Sequence, residues 1–520
     1  MAIEDLIRAE ESIAQLAKPP VSRLMFLLWR SREDLREAFD LGQASGQQGL
    51  VGWYRTTCIG PTAGPTALIV GGNAGFTPAG PGRNLDRLVA NVVDRIGRLT
   101  RWLPEALRIR ARQGARILSR VAARVAARAA ARAAADCAPV RTPAAAAVRR
   151  SAAVQGINLV GHVHGEFGLG QHLRHTAAAL EAAALPFGLV DFRIGVPGRQ
   201  KAATRHRILP AGNPYRTNVF LMSPARVPDA FCHFGQDFFA NRLNVLFAVW
   251  ELANWPEPWR DLLELFDEIW VPTRFVEAAL KPHVKCPVIR VPLCIELPPS
   301  AGRTRAFFGL TEGAFLFLTV VDTFSFLERK NPLATLHAFR QAFPDRSANV
   351  GLVVKAMNVG AGNAVWRRLL EECAGDARVV VLDRVIDFDA MADLYRCTDC
   401  YVSLHRSEGF GMCAAEAMCA GKPVVVTNYS GNVDFTLPDN ACLVDYRLIP
   451  VGAGQYPFAD GQVWAEPNLE HAASHMRRLY QDRAYAAATS AKAASWARRF
   501  LDPAAGAQGF AEAIGWPVAR

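Results

Sequence analysis

The stretch SEGFGMCAAEAMCAGKPVV, residues 407–425, places two glutamates eight positions apart among glycines and small apolar residues. The preceding CYVSLH is typical of a buried strand, RSEGFG of a turn, and MCAAEAMCA of a helix that Gly421 ends. Glu408 is therefore expected at the carboxyl end of a strand, and Glu416 one to two turns into the helix. A carboxylate in an apolar helix is costly unless a polar group meets it. Because carboxylates accept hydrogen bonds from hydroxyl groups, the pair indicates an extended ligand that carries sugar or ribose hydroxyls.

Around this stretch the chain alternates between apolar runs and helical patterns from about residue 154 onward. Two such series, separated by the polar turn PPSAGRTR (298–305), predict an α/β protein with two facing doubly wound, Rossmann-like domains. We expect these domains over residues 151–300 and 301–520. In sheets of this kind ligands bind outside the carboxyl ends of the strands, so candidate residues are sought there.

The region before the alternating pattern divides into two parts. Residues 1–96 predict a small, mainly helical region, in which Ser31 begins the helical pattern SREDLREAFD. Residues 97–150 predict an arginine- and alanine-rich helical linker. Its arginines recur every four residues, at positions 108, 112, 116, 120, 124, 128 and 132. Two interpretations stay open, a solvated linker and a basic helix over 101–150 that lies on an anionic membrane surface. Nucleic acid is not expected as a partner, because no aromatic residue interrupts the stripe to stack on bases.

Composition restricts the class of protein further. The 520-residue chain carries a net charge of +11, and 51% of its residues are apolar, enough for large cores. It has no run of 18 apolar residues and an acidic start, which predicts a cytoplasmic protein, at most peripheral on the inner face of the membrane. The 11 cysteines lack regular spacing, so we expect reduced thiols, and the lone pair Cys397 and Cys400 is weak evidence for a metal or redox site.

A glycine-rich segment, HGEFGLGQHLRHT (164–176), follows the first predicted strand and opens a helix. Gly168 and Gly170 would let the backbone approach a phosphate or an acceptor, and the helix N-terminus would favour an anion. The segment lacks the strict dinucleotide spacing, so binding of NAD is not favoured. Four nearby histidines, at positions 162, 164, 172 and 175, leave a metal site as an alternative, although no carboxylate pair accompanies them.

Two adjacent cations, Arg329 and Lys330, lie in DTFSFLERKNP (322–332), after the first strand of the second series. Asn331 is expected to cap the following helix, with Pro332 at its first position. Cations beside a helix N-terminus are suited to holding a diphosphate. The alternative is an exposed basic turn without a ligand.

These motifs together resemble the retaining GT-B glycosyltransferases of the group-1 superfamily. The resemblance rests on SEGFGMCAAEAM with AGKPVVVTNYSG, on DTFSFLERKNPLATLHAFRQAF, on QVWAEPNLEHAASHMRRLY and on EIWVPTRF in the first domain. It spans about residues 154–515, is most specific in 315–440, and is absent before residue 150.

The resemblance implies a role for each matching residue. Glu408 would contact the donor sugar, Glu416 the ribose, and Arg329 and Lys330 the diphosphate. Lys330 is the closer match, because the family's arginine usually precedes the lysine by several residues. Gly409, Phe410 and Gly411 would complete the donor site. In the segment AVWELANWP, Glu251 stands where many members carry a histidine.

The implied activity is transfer of a hexose from a nucleotide-sugar donor to a glycan or lipid-linked acceptor with retention of configuration, in the synthesis of bacterial surface polysaccharide. No metal or other cofactor is expected: DFD (387–389) precedes a helix, where Asp389 would be an ordinary N-cap, and the cations would neutralise the leaving diphosphate. Two alternatives remain, a sugar-nucleotide epimerase of the same architecture and a non-catalytic scaffold at the membrane surface.

Overall fold

A computed structural model describes residues 33–39, 46, 49–50, 52–53, 154–194, 198–210, 212–359, 363–513 and 515–516. Ser31 and the arginine stripe lie outside these residues. Helix α1 (Glu33–Ala38) is the described helix of the N-terminal region that was predicted to be helical.

The first lobe is built on a parallel six-stranded sheet with the order β2-β1-β3-β4-β5-β6. Its strands are β1 (Val154–Gly161), β2 (Phe187–Asp191), β3 (Tyr215–Leu221), β4 (Leu243–Phe247), β5 (Glu268–Val271) and β6 (Val288–Arg290). The helices between them are α2 (Gly168–Ala182), α3 (Val227–Phe234), α4 (Gln236–Phe239) and α5 (Arg274–Leu280). Short 3₁₀ turns occupy Pro224–Arg226, Glu257–Trp259, Asp261–Leu265 and Lys281–His283.

The second lobe is built on another parallel sheet of six strands, in the order β12-β11-β10-β7-β8-β9. The strands are β7 (Phe315–Asp322), β8 (Val350–Met357), β9 (Val379–Leu382), β10 (Cys400–Ser403), β11 (Val424–Thr427) and β12 (Cys442–Val444). The helices before or between these strands are α6 (Arg305–Phe308), α7 (Leu327–Lys330), α8 (Pro332–Ala342), α9 (Ala364–Cys373), α10 (Phe388–Cys397) and α11 (Met412–Cys419). Two 3₁₀ turns occupy Thr323–Ser325 and Gly431–Asp434. An antiparallel hairpin, β13 (Tyr446–Pro450) and β14 (Val463–Pro467), precedes α12 (Leu469–Gln481), α13 (Arg483–Phe500) and α14 (Pro503–Ala513).

This arrangement confirms the predicted fold class, two Rossmann-like doubly wound sheets. The strands are continuous apolar runs because helices cover both faces of each parallel sheet. In the second lobe the two faces form separate cores, one containing Phe317 and Phe339 and the other containing Leu318 and Met418.

The final helix α14 packs in the core of the first lobe. Phe510 lies 5.6 Å from the ring of Trp270 and 6.3 Å from that of Phe247, measured between ring centroids. The backbone N–H of Ile295 donates to the carbonyl of Leu501 at 2.7 Å, close to where the chain crosses between lobes. The chain therefore returns to its first lobe after completing the second.

Two predicted helix starts differ from the structure. Asp387, rather than Asp389, caps α10 by accepting a hydrogen bond from the backbone N–H of Ala390, because a cap side chain must reach a donor three residues further on. Asn331 does occupy the N-cap position of α8, but in the left-handed conformation (φ 52°) and without a side-chain capping bond. Over the described ranges, no helix is long and apolar enough to cross a membrane.

Candidate functional site

The second sheet has a topological switch point between β7 and β10, the two neighbouring strands at which the strand order reverses. Loops that leave neighbouring strands at such a point diverge and open a crevice at the carboxyl edge of the sheet. The loop after β7 carries Arg329 and Lys330, and the loop after β10 carries Glu408. The topology thus brings together residues that are separated by 78 positions in the sequence.

Glu408, Arg329 and Lys330 form a charge cluster at this crevice. The Lys330 ammonium donates to Oε1 of Glu408 at 2.6 Å, and the Arg329 guanidinium lies 3.1 Å from Oε2. Arg329 also donates to the backbone carbonyl of Ser407 at 2.7 Å. Both the carboxylate and the guanidinium are buried, with residue exposures of 8% and 4%. The cluster is therefore held at both ends, by charge and by the backbone of the 407–411 turn.

The charges of the cluster determine the pKa of its carboxyl group. Burial alone would raise the pKa of Glu408, but the positive charges of Lys330 and Arg329 oppose it and lower that pKa to about 2. The pKa of Arg329 is raised, because Glu408 and Glu251 outweigh the opposing effect of burial. At neutral pH Glu408 is therefore a carboxylate, in contact with both basic side chains.

The turn that carries Glu408 is fixed by hydrogen bonds to the next loop of the sheet. The N–H of Glu408 donates to Oγ of Ser430 at 2.8 Å, and its carbonyl accepts from the N–H of Gly431 at 2.9 Å. Asn432 lies 3.0 Å from the buried ring of His405, which is the second residue after β10. The turn that carries the glutamate is thus hydrogen-bonded to the 430–432 loop.

Glycine is required at position 409 by a close contact and is favoured at position 411 by the backbone conformation. A Cβ at Gly409 would lie 2.7 Å from Val249 Cγ1 and 3.0 Å from the carbonyl oxygen of Trp250, both in the first lobe. Gly411 has a φ of 98° at the start of α11, a conformation that glycine adopts readily. Phe410 is buried and its ring packs 4.9 Å from that of Phe435. These contacts place Phe410 in the core of the second lobe, whereas Gly409 allows the two lobes to approach.

Glu416 lies apart from the charge cluster, inside α11. The Tyr395 hydroxyl donates to its Oε2 at 2.8 Å, and the Nε2 atom of His175 in the first lobe lies 3.7 Å from its Oε1. Burial and the nearby carboxylate raise the pKa of Tyr395 well above its ordinary value. Glu416 therefore faces the first lobe.

In the glycine-rich loop of the first lobe, Gly170 packs closely against the backbone of Gly165. A Cβ at Gly170 would overlap the carbonyl oxygen of Gly165, whereas a Cβ at Gly168 would meet no atom within 4 Å. Arg174 donates to the carbonyls of Val163 at 3.0 Å and Gly165 at 2.9 Å, and its burial lowers its pKa to about 10. Of the two glycines predicted here, Gly170 is required by close packing and Gly168 leaves open space at the helix start.

The four histidines near this loop have separate environments. His162 is buried without a hydrogen-bond partner for either ring nitrogen, and His172 packs edge-on against Phe247. His164 contacts the carbonyl of Ala202 at 2.8 Å, and His175 faces Glu416. The part of the chain that the structure describes contains no group of three metal-ligating side chains.

Glu251, which follows β4, approaches the charge cluster from the first lobe. Its Oε1 lies 4.0 Å from the Arg329 guanidinium, and its Oε2 accepts a 2.6 Å hydrogen bond from the hydroxyl of Tyr456. Tyr456 is in the loop of the β13–β14 hairpin and was not singled out in the sequence, since GAGQYPFADG carries no motif. Its ring also lies 6.0 Å from the guanidinium carbon of Arg329.

The same hairpin loop is fastened to the first lobe next to this contact. Gln462 donates from Nε2 to the carbonyl of Asn254 at 2.7 Å and accepts from the N–H of Asn254 at 3.1 Å. Thr273 of the first lobe donates to the carbonyl of Gly409 at 2.9 Å. Residues from both lobes therefore complete one polar cleft.

Solved structures share this architecture. Sucrose-phosphate synthase from Thermosynechococcus elongatus is 17% identical, with a TM-score of 0.52 over 69% of this chain and 98% of that chain. HepE from Anabaena, solved in complex with UDP and glucose, is 14% identical, with a TM-score of 0.52 over 69% of this chain and 99% of its own. At these identities the likeness establishes a shared fold. No curated protein sequence matches the chain significantly.

The sequence family match falls on the second lobe. Residues 322–452 match the family model described as glycosyl transferases group 1. The matched segment begins at the end of β7 and includes Arg329, Lys330, Glu408 and Glu416. The chain therefore resembles group 1 glycosyl transferases over residues 322–452, and its two sheets share the fold of these solved structures.

Proposed function

We propose that the protein transfers a hexose from a nucleotide-sugar donor to a glycan or lipid-linked acceptor, with retention of configuration and without a metal ion. The observation that carries this proposal is the charge cluster of Arg329, Lys330 and Glu408 at the switch point of the second sheet. Two cations and a carboxylate in one crevice suit a ligand that has phosphates at one position and hydroxyls at the next.

The cluster suggests how the donor would be held. Arg329 is nearly inaccessible, whereas the Lys330 side chain is 19% exposed and can turn toward a diphosphate. A diphosphate that recruits Lys330 would free one oxygen of Glu408 to accept hydrogen bonds from hydroxyls of the donor sugar. Glu416, eight residues after Glu408, would accept hydrogen bonds from the ribose hydroxyls.

The same groups would promote the reaction. The bond between the anomeric carbon and the diphosphate oxygen breaks, and its electron pair remains on the diphosphate. Lys330 and Arg329 stabilise the developing charge in a buried site, where such stabilisation is strongest. The acceptor hydroxyl forms the new bond on the same face of the sugar, and its proton passes to the departing diphosphate oxygen. Glu251, opposite Arg329, would orient the acceptor.

The acceptor and the cellular role are proposed from the charge of the N-terminal region. We place the protein in the synthesis of bacterial surface polysaccharide, at the inner face of the membrane. The support is the arginine stripe, which would attract anionic head groups and bring the enzyme to lipid-linked acceptors.

Donor binding and turnover test the proposal. Thermal-shift measurements with UDP-, GDP- and ADP-hexoses should identify a donor, which at 100 times its dissociation constant stabilises the protein by about 2.7 kcal/mol. UDP-glucose is the first to test, because the HepE structure with a TM-score of 0.50 contains it. Release of nucleoside diphosphate, and the anomeric configuration of the product by NMR, then establish transfer and retention.

Two controls sharpen this experiment. Lys330→Ala should lose donor stabilisation, whereas Lys422→Ala should keep it, because Lys422 lies beyond the C-terminal end of α11 and donates to the carbonyl of Arg396. Activity should be unchanged in EDTA. Failure of every nucleotide sugar to bind, or a strict requirement for Mg²⁺ or Mn²⁺, would contradict the proposed chemistry.

A further inference from the structure

Two phenylalanines at the cleft combine an exposed ring with an unfavourable backbone conformation. Phe326 has a φ of 57° and is 38% exposed, and Phe458 has a φ of 53° and is 40% exposed. Among the residues that the structure describes, these are the aromatic residues with positive φ. A bulky side chain rarely adopts this region, because its Cβ crowds the backbone.

At neither position does the backbone conformation favour a phenylalanine. At Phe326 the turned backbone directs its carbonyl toward the N–H groups of Arg329 at 3.0 Å and Lys330 at 3.2 Å. Glycine or asparagine would adopt the same conformation more easily. A ring that is over one-third exposed also offsets little of the strain by burial. Strained residues of this kind are concentrated at functional sites.

The two rings belong to one continuous set of aromatic contacts. Phe326 lies 4.9 Å from Tyr456, Tyr456 lies 5.6 Å from Trp250, and Trp250 lies 6.5 Å from Phe458, all between ring centroids. Phe458 also packs 5.0 Å from Trp259. The buried Tyr456, Trp250 and Trp259 support the two exposed phenylalanines, and these five residues are called the aromatic face.

The aromatic face is continuous with the charged cleft. Tyr456 links them, since its ring contacts Phe326 and its hydroxyl donates to Glu251, whose carboxylate is in turn 4.0 Å from Arg329. The Glu251 side chain is 25% exposed and can accept a hydrogen bond from a ligand. Exposed apolar rings therefore stand beside an accessible carboxylate at the junction of the lobes.

We infer that the aromatic face is the acceptor subsite, and that it binds a pyranose ring of a carbohydrate acceptor. This inference rests on the proposed function. A pyranose presents a face of C–H groups that packs against aromatic rings and an edge of hydroxyls that hydrogen-bond to carboxylates. An alkyl chain would use the rings but offer no hydroxyl group to the accessible carboxylate of Glu251. The adjoining positions of rings and carboxylate thus favour a sugar over the lipid part of a lipid-linked acceptor.

Saturation-transfer NMR on the full-length protein tests the inference directly. The probes are methyl α- and β-pyranosides of glucose, galactose, mannose and N-acetylglucosamine, each with saturating UDP, and 1,2-hexanediol as an apolar diol without a ring. At least one pyranoside should receive saturation at its ring C–H protons, and hexanediol should not. Phe458→Ala and Phe326→Ala should each reduce that signal about fivefold or more.

Matched variants separate binding from folding. Phe458→Tyr should retain the signal, because it keeps the ring. Phe458→Asn should lose it, although asparagine tolerates positive φ and should leave the melting temperature close to that of the wild type. Phe307→Ala, which removes a ring that is 50% exposed on α6, should leave the signal unchanged.

The outcomes distinguish this inference from the proposed function. UDP signals without any pyranoside signal, or pyranoside signals that survive both alanine variants, would overturn the aromatic face as a sugar subsite. Equal saturation of hexanediol would assign the face to a lipid chain instead. Absence of pyranoside binding, together with failure of every nucleotide sugar to bind in the thermal-shift measurements, would overturn the proposed function as well as the inference.

Discussion

At the scale of single residues, Glu408 is the nearest counter-charge of the buried Arg329 and of the partly exposed Lys330. Arg329 is 4% exposed, and its guanidinium contacts Glu408 at 3.1 Å. Removing one partner of such an arrangement is costlier than the net contribution of the ion pair, because the remaining charges stay desolvated. The carboxylate therefore serves both the stability of the site and its binding chemistry.

We predict that Glu408→Gln folds but lowers the free energy of unfolding by about 3 kcal/mol, and lowers turnover by about 100-fold. UDP should stabilise this variant by more than it stabilises the wild type, since the diphosphate supplies the missing negative charge. Urea unfolding and thermal shift measure both effects. Glu371→Gln, at an exposed position on α9, is the control. A variant that unfolds like the wild type would show that Glu408 does not balance the cations.

Two buried histidines predict sensitivity to mild acid. Burial lowers the pKa of His162 to about 4 and that of His172 to about 3, from an ordinary value of 6.5. Below pH 6.5 these histidines are protonated in the unfolded chain but stay neutral in the folded chain. The free energy of unfolding that is present above pH 6.5 is therefore lost progressively as the pH falls toward 4. At pH 5 each histidine should cost about 2 kcal/mol of unfolding free energy relative to pH 7.5.

Replacing one of them should remove about half of this loss. His172→Leu keeps an apolar side chain against Phe247 and removes the titrating group. Denaturant unfolding at pH 7.5 and pH 5 gives the comparison, with His471→Leu, a partly exposed histidine on α12, as the control. An unchanged difference between the two pH values in His172→Leu would exclude this histidine as the cause.

At the scale of elements, the turn from β1 into α2 shows that neighbouring glycines have different requirements. At Gly170 the carbonyl carbon of Gly165 lies within 2.8 Å of the position that a Cβ would occupy, and this atom is backbone that cannot move aside. Gly168 is the first residue of α2 and faces open space. Of these two glycines in one motif, only Gly170 is therefore required for steric reasons.

Gly170→Ala should lower the melting temperature by several degrees and weaken donor binding, because the backbone at Gly165 and the start of α2, the helix that carries His175 opposite Glu416, must move apart. Gly168→Ala is the matched control and should keep or slightly raise stability, since alanine favours the helix by roughly 0.5–1 kcal/mol. Thermal unfolding of the two variants checks this difference. Equal melting temperatures of the two variants would mean that the loop accommodates the Gly170→Ala side chain without loss of stability.

At the scale of the whole molecule, the cleft depends on segments far apart in the chain. The hydrogen bond between Tyr456 and Glu251 joins residues 205 positions apart, and the pair formed by Gln462 and Asn254 spans 208. Helix α14 returns to the first lobe after the second is complete. The lobes are therefore connected by the hairpin loop, by α14 and by the contact at Gly409.

We predict that the intact chain co-sediments with vesicles of anionic lipid at low salt and is released as salt shortens the Debye length below about 10 Å. The physical reason is the arginine stripe, in which each residue near an anionic surface contributes on the order of 1 kcal/mol. Deletion of residues 101–150 should abolish sedimentation and leave transfer to a soluble acceptor unchanged. Vesicle binding that persists after deletion would show that the stripe is a solvated linker.

The sequence by itself determined the fold class and the residues of the charge cluster. Parallel strands buried on both faces must be continuous apolar runs, so their alternation with helices is visible in the sequence. Glu408, Glu416 and Lys330 stand in local motifs, because strand, turn and helix N-terminus follow one another within a few residues. Local chemistry of this kind depends only on spacing along the chain.

Only the tertiary structure decided which residues meet across the cleft. Tyr456 has no motif around it, and its partner Glu251 belongs to the other lobe. The tight packing of Gly170 and the core position of Phe410 likewise depend on neighbours brought near by folding. Sequence periodicity indicates which side of a helix or strand is apolar. Contacts between lobes depend instead on how the two sheets are positioned relative to each other. That position is determined by packing interactions of hundreds of residues, so no local motif reveals it.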